Sequence, residues 1–343
     1  MDRTVHCPDC DALDRRHFLA ASVVSLAGFA VPRQIEGATT IREEASETAV
    51  SAFFETLSEA QKKTICFGWN HNETERGLLR THVSNNWQIT RPHIDSEFYT
   101  KKQKALLHDA FKGLFSPEWY PKISKQLKDD TGGKPWGAEQ SVALFGIPGK
   151  GKFEMVMTGR HMTIRIDGNS EDHVALGGPI FHGHAPIFVE KKDHAGNVFW
   201  HQALEANKVF TLLDGKQQEQ ALVKVRPSES EVSFQGKEGT FDGMPIKDMS
   251  KDQKAEVKKV LQTLVAPYRQ IDQQEILACL DKQGGLDACH LAFYEAGDIG
   301  KDRVWDNWRI EGPSFVWYFR GEPHVHIWIN VADSPKVPLN SKG

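Results

Sequence analysis

Residues 314–331 read Ser314-Phe315-Val316-Trp317-Tyr318-Phe319-Arg320-Gly321-Glu322-Pro323-His324-Val325-His326-Ile327-Trp328-Ile329-Asn330-Val331. Two runs of β-branched and aromatic residues flank a Gly-Glu-Pro break, which predicts strand, turn, strand. Similar runs at 289–295 and 303–310 precede them, so the end of the chain reads as a β-meander. An earlier block at 141–189 has the same texture, with Val142-Ala143-Leu144-Phe145 and His161-Met162-Thr163-Ile164-Arg165-Ile166 separated by Pro-Gly, Asp-Gly and Gly-Gly breaks.

Helices are predicted around these blocks. Ser58 with Gln61, Thr100 with Gln103, and Ser250 with Gln253 each place a hydroxyl three residues before a glutamine, the spacing of a capping box. After the last of them, Val257, Val260, Leu261, Leu264 and Val265 form one apolar face at three- and four-residue spacing. Runs of strands beside runs of helices, without regular alternation, predict an α+β fold in which helices pack on a largely antiparallel sheet. No regular repeat period is visible. The expected organisation is a signal peptide at 1–30, a linker at 31–47, a single α+β domain at 48–335 and a tail at 336–343.

The signal is read from Asp14-Arg15-Arg16-His17-Phe18-Leu19-Ala20, where paired arginines lead into an uncharged stretch ending near Val31. That stretch is shorter than the roughly 20 apolar residues a membrane-crossing helix needs. Gly28-Phe29-Ala30 places small residues where a signal peptidase cuts. The segment resembles a twin-arginine (Tat) signal, despite Asp14 and Ala20, and this implies the Tat export machinery as a partner and a periplasmic or secreted location. Export as a folded chain favours a cofactor, and no stable membrane insertion is expected after cleavage. Cys7-Pro8-Asp9-Cys10 would leave with the signal. Cys66, Cys279 and Cys289 remain, and Cys279 with Cys289 would either bridge a short loop or stay as buried free thiols.

Lys and Arg number 42 and Asp and Glu 46 among 343 residues, a formal charge of −4 that argues against a nucleic-acid partner. The 15 histidines supply the chemistry. His182-Gly183-His184 and His324-Val325-His326 would each put two imidazoles on one face of a strand, close enough for one metal. The second pair is the clearer, because Val325, Ile327 and Ile329 fill the alternate face. Imidazoles paired with carboxylates in a polar interior are the competing reading. Arg309 and Glu311, two apart on a strand, would share a face, where the arginine would either clamp a carboxylate or phosphate in two-pronged geometry or form a structural ion pair with Glu311. Glu311 or Glu154 would serve as general base. The nine tryptophans are expected chiefly in the core, with a ligand groove as the alternative.

An ordered set of short motifs adds to this. Leu57-Ser58-Glu59-Ala60-Gln61-Lys62, Gly159-Arg160-His161-Met162-Thr163-Ile164, Pro179-Ile180-Phe181-His182-Gly183-His184-Ala185-Pro186, Trp308-Arg309-Ile310-Glu311-Gly312-Pro313 and Pro323-His324-Val325-His326 together resemble the domain-of-unknown-function family 3500. Members typically show a Gly-His-His block, a Tyr-Arg-Ile-x-Gly-Pro block and an Asn-His-x-His block. Arg160, Trp308 and Pro323 depart from these blocks, which implies a divergent branch. The resemblance matches His161, His324 and His326 to family histidines, whereas His182 and His184 have no such counterpart, and it implies no particular reaction. The expectation is a mononuclear metal enzyme, a hydrolase or an oxidoreductase, with one divalent transition metal (zinc, copper or iron) on His161, His324 and His326, joined by His182 or His184. A nonenzymatic periplasmic metal-binding or ligand-binding protein is the alternative.

Overall fold

The computed structural model describes residues 36–184, 198–300 and 302–340. The signal region therefore lies outside the described residues. Chain order begins with helices α1 (Glu36–Glu55) and α2 (Glu59–Ile65) and short strands β1 (Cys66–Phe67), β2 (Asn72–Glu73) and β3 (Gly77–Leu78). Helices α3 (Lys101–Gly113) and α4 (Tyr120–Asp130) follow, then strands β4 (Gln140–Gly146), β5 (Phe153–Gly159), β6 (Met162–Ile166) and β7 (Ile180–His184). The second half runs through α5 (Trp200–Leu212), α6 (Gly215–Ala221), β8 (Leu222–Val223), β9 (Met244–Pro245), α7 (Lys251–Val265) and α8 (Gln270–Gln283). It closes with β10 (His290–Tyr294), β11 (Asn307–Gly312), β12 (Phe315–Arg320) and β13 (Val325–Val331). The α+β expectation and the C-terminal meander hold.

One sheet of eleven strands carries the fold in the order β1-β4-β5-β6-β7-β13-β12-β11-β10-β8, with β9 also paired to β10. Its long strands are antiparallel throughout, and only β1 on β4 and β8 on β10 are parallel. The order reads the same from either edge. Each half lays down two helices, a short edge strand, two more helices and a four-stranded meander, and the halves join through β7 and β13. The chain thus repeats its element order once, although the sequence shows no repeat period.

The trace of that repeat is in the caps. All three expected capping boxes form, and Asp214 with Gln217 makes a fourth that a search for hydroxyls misses. The cap glutamines then pair across helices, Gln61 with Gln103 at 3.0 Å and Gln217 with Gln253 at 2.7 Å. Gln103 Nε2 donates to the Thr56 carbonyl and Gln253 Nε2 to that of Leu212, both at 2.9 Å. Each glutamine satisfies a helix start and ties it to the helix pair before it.

The helices cover one face of the sheet. Val257, Val260, Leu261, Leu264 and Val265 of α7 are buried, as their spacing predicts, and pack with Trp308, Trp317 and Phe319. Trp308, Trp317 and Trp328 are fully buried, which is the core reading of the tryptophans. The other face carries two smaller apolar clusters, around Tyr294, Tyr318 and Trp328 and around Phe145 and Val156. Val83, Ile89 and Val232, from stretches of little regular structure, cap them.

Two expectations change, and one pair of alternatives is decided. Residues 31–47 were read as a tether, but α1 starts at Glu36 and buries Ser46, Ala49, Val50 and Phe53 at helical spacing. Ser46 Oγ donates to the Ala110 carbonyl of α3 at 3.0 Å, an approach that the bare Gly113 permits. The segment from 336 is anchored too, since the Asn340 amide nitrogen donates to Thr81 Oγ1 at 2.7 Å and its side chain to the Arg76 carbonyl. Cys279 and Cys289 are buried free thiols, pushed up to about 12 by burial. No helix among the described residues is long and apolar enough to cross a membrane.

Docking of α1 has a measurable consequence. Phe53→Ala should lower the unfolding free energy by about 3–5 kcal/mol, as removal of a fully buried phenylalanine does. Urea denaturation checks this, and a loss below about 1 kcal/mol would mean that α1 is not part of the folded unit.

Candidate metal centre

The join between the two halves sets the register. On β13, His326 stands opposite Gly183 of β7 on one side and Arg320 of β12 on the other. His161 arrives from the two-residue turn Arg160-His161 between β5 and β6, with φ at 53°, a left-handed backbone that a non-glycine residue adopts at a cost. Its carbonyl accepts from Gly183 N and its amide donates to Asn86 Oδ1, both at 3.0 Å. Gly183 must be bare, because a Cβ there would lie 2.8 Å from His161 Cδ2. The glycine inside the His-x-His pair of β7 makes room for a histidine from elsewhere.

The three side chains converge. His324 Nε2 lies 3.2 Å from His161 Nε2 and 2.9 Å from His326 Nε2, and one ligand atom from each lies within 4.8 Å of the others. Three nitrogens about 2.0–2.1 Å from one ion would stand roughly 3 Å apart, so these separations suit a shared metal. His161 and His326 are buried, and His324 is half-buried.

Carboxylates fix the two buried rings. His161 Nδ1 meets Asp130 Oδ2 at 2.9 Å, and His326 Nδ1 meets Glu229 Oε2 at 2.6 Å. With both Nδ1 atoms donating, both neutral rings turn an Nε2 lone pair toward His324. His324 Nε2 carries at most one proton, so it cannot satisfy both partners well, and its own Nδ1 is buried without a hydrogen bond. Burial lowers His324 to about 3, helped by the neighbouring His326 and His161, and lowers His326 to about 4 against the pull of Glu229. Protonation therefore does not relieve the contact near neutral pH, whereas a cation accepting all three lone pairs would.

The family model described as "Protein of unknown function (DUF3500)" matches residues 39–331. The chain belongs to the DUF3500 family. No curated protein and no solved structure matches it. The matched span of this DUF3500 chain contains all three converging histidines together with Asp130 and Glu229.

The other expected site residues lie elsewhere. His182 and His184 stand opposite Ile327 and Val325, so they face the helix side of the sheet while His326 faces the other. His182 is buried with Phe115 and Phe199 and shares a hydrogen bond with Tyr268 Oη at 3.1 Å. Arg309 and Glu311 share the face of His326 but bond to each other at 2.9 Å, with Gln235 Nε2 also on Glu311 at 2.9 Å and the Arg309 guanidinium over the Tyr318 ring. They form the structural pair rather than a clamp at the histidines. Glu154 is fully buried between Arg80 and Arg165, at 2.9 and 3.2 Å, and burial pushes it up to about 7.

Asp130, Glu229 and Arg320 escaped the sequence reading. Asp130 ends a polar helix and Glu229 lies in an irregular stretch, so neither has a spacing signal. Arg320 could have been found by register, as the last residue of a strand whose neighbour begins with His-x-His.

Buried His182 gives the fold a pH dependence. Burial lowers it to about 4 from an ordinary 6.5, so above pH 6.5 folded and unfolded chains both hold it neutral. Between pH 6.5 and 4 only the unfolded chain takes up the proton, and about 3 kcal/mol of stability is lost on the way down. Denaturation curves of wild type and His182→Gln across that window should show a shallower loss in the variant; identical slopes would show that His182 does not titrate this way.

Proposed function

We propose that this DUF3500 protein is an exported metalloenzyme that holds one divalent transition metal on His161, His324 and His326. The observation that carries this reading is the set of three Nε2 atoms aimed at one point, two of them from rings fixed by carboxylates, the buried Asp130 and the half-buried Glu229. Histidines that ligate metals are ordinarily held through the second ring nitrogen in this way. Only three candidate ligands meet there among the described residues, which leaves room for water or substrate in a further position. Bound zinc there would supply an acidified water for hydrolysis or hydration, and copper or iron would supply redox chemistry.

The residues divide the work. Asp130 and Glu229 keep His161 and His326 in the tautomer that presents Nε2, and Gly183 leaves the space that His161 fills. Glu229 also meets Arg320 Nε at 3.0 Å and Trp328 Nε1 at 3.4 Å, so one carboxylate links the histidines to the strands beside them.

Elemental analysis of untagged protein, exported through its own signal, tests the reading. About one equivalent of zinc, copper or iron is expected in the wild type and none in the His324→Ala, His326→Ala double variant. Glu229→Gln should weaken metal affinity about 10–100-fold while leaving the three ligands in place. A metal-free wild type as stable as the double variant would overturn the proposal.

Export is proposed on the Arg15-Arg16 signal. Replacing both arginines by lysine should leave the uncleaved precursor inside the cell, as fractionation and the mass of the N-terminus would show. Normal export of that variant would remove the Tat route.

A further inference from the structure

Arg320 is a largely buried arginine whose guanidinium makes one ion pair, through Nε, among the described residues. It is 8% exposed and is the last residue of β12, directly beside His326 in the sheet. Its Nε approaches Glu229 Oε2 at 3.0 Å as an ion pair, yet that nitrogen is buried without a well-directed hydrogen bond. Neither terminal nitrogen makes a hydrogen bond to any described residue. A guanidinium carries five N–H donors in a planar fork, so the two terminal nitrogens remain available to a ligand while Nε is held at Glu229. Desolvating it costs several kcal/mol if nothing answers its charge.

What is present answers it only in part. Glu229 Oε2 already takes the short hydrogen bond from His326 and the contact from Trp328. On the same side, Arg226 pairs with Glu322 at 3.1 Å and reaches Asn307 Oδ1 at 3.4 Å, so Glu322 is engaged as well. Arg309, the arginine that the sequence singled out, is spent on Glu311. The register places Arg320 directly across from His326. A cation on the three histidines would leave this corner with a surplus of positive charge.

We propose that Arg320 binds the oxyanionic group, a carboxylate or phosphate, of a small anionic substrate whose reacting atom lies at the metal. This inference rests on the metal reading and adds the class of substrate to it. The planar fork of N–H groups matches two oxygens of a carboxylate or phosphate, which a lysine at the same place would not. Glu229 then acts as the hinge of the site, keeping His326 aimed at the metal through one contact and Arg320 aimed at the substrate through another. The substrate is an organic acid or a phosphate ester small enough to bridge neighbouring strands of one sheet.

Cobalt(II), whose visible spectrum reports changes in its ligands, makes the test independent of any activity. The full mature chain is loaded with cobalt and titrated with acetate in one arm and inorganic phosphate in the other. In wild type, at least one anion should shift the spectrum and saturate, and the tighter of the two names the oxyanion. Arg320→Met should bind cobalt within about threefold of wild type and bind that anion at least tenfold more weakly, with Arg320→Lys in between. Equal anion affinity in Arg320→Met, or no spectral response to either anion in wild type, would overturn the role of Arg320 and leave the metal site standing. Loss of cobalt from both variants would make Arg320 a support of the metal and would also overturn it. A wild type that takes up no cobalt would bring down the metal reading and this inference together.

Discussion

Three imidazole nitrogens face one another across about 3 Å, and the arrangement of this end of the sheet follows from holding them there. Two lone pairs point at a single nitrogen that can offer at most one proton. Left alone, that is a poor contact in a buried place. The protein nevertheless invests in it: a left-handed backbone at His161, a bare position at Gly183, and carboxylates of Asp130 and Glu229 brought in from a helix and an irregular stretch. None of these features improves the apolar packing. They make sense together as the means of presenting three neutral Nε2 atoms to one positive charge.

The repeated architecture explains why there is one such point. The two meanders meet at β7 and β13, and each half has a two-residue turn between its second and third meander strands. In the first half that turn is Arg160-His161, following Gly159. In the second it is Pro313-Ser314, following Gly312. Ser314 is buried, its hydroxyl donating to the Ala332 carbonyl at 2.7 Å and its amide to Gln283 Oε1 at 3.2 Å. A helix-borne side chain thus reaches each turn, Asp130 at the histidine and Gln283 at the serine. The charged pair can serve a metal ligand, and the neutral pair only completes backbone hydrogen bonding.

Local signals were legible in the sequence, and relations between strands were not. Cap glutamines, the apolar stripe of α7 and the aromatic runs of the meander are each written within a few residues. His324 and His326 were visible as a pair because one strand holds both. His182 and His184 show the same spacing, yet which face they take depends on pairing with β13, and a shift of one residue would reverse it. For Arg309 and Glu311 the spacing was informative in another way: side chains two apart on a strand share a face, and these two bond to each other. Asp130 and Glu229 matter only through long-range contacts that no spacing encodes. The repeat was hidden because its two copies share cap chemistry and strand order while their site residues differ.

The same geometry couples the site to folding. His161 and Asp130 come from the first half, and His324, His326 and Glu229 come from the second, so the converging set exists only when β7 and β13 have paired. An unfolded chain would offer these residues separately, at sequence distances that make chelation by all of them costly. A metal bound to the assembled set would stabilise the paired halves over any partly folded form, by an amount that grows with its affinity and concentration. Arg320, Asp130 and Glu229 also lie beside the join. Stabilisation of the paired halves by a metal fits the proposed export of a folded, loaded chain, because the state that crosses the membrane would be the state in which the two halves are already clasped.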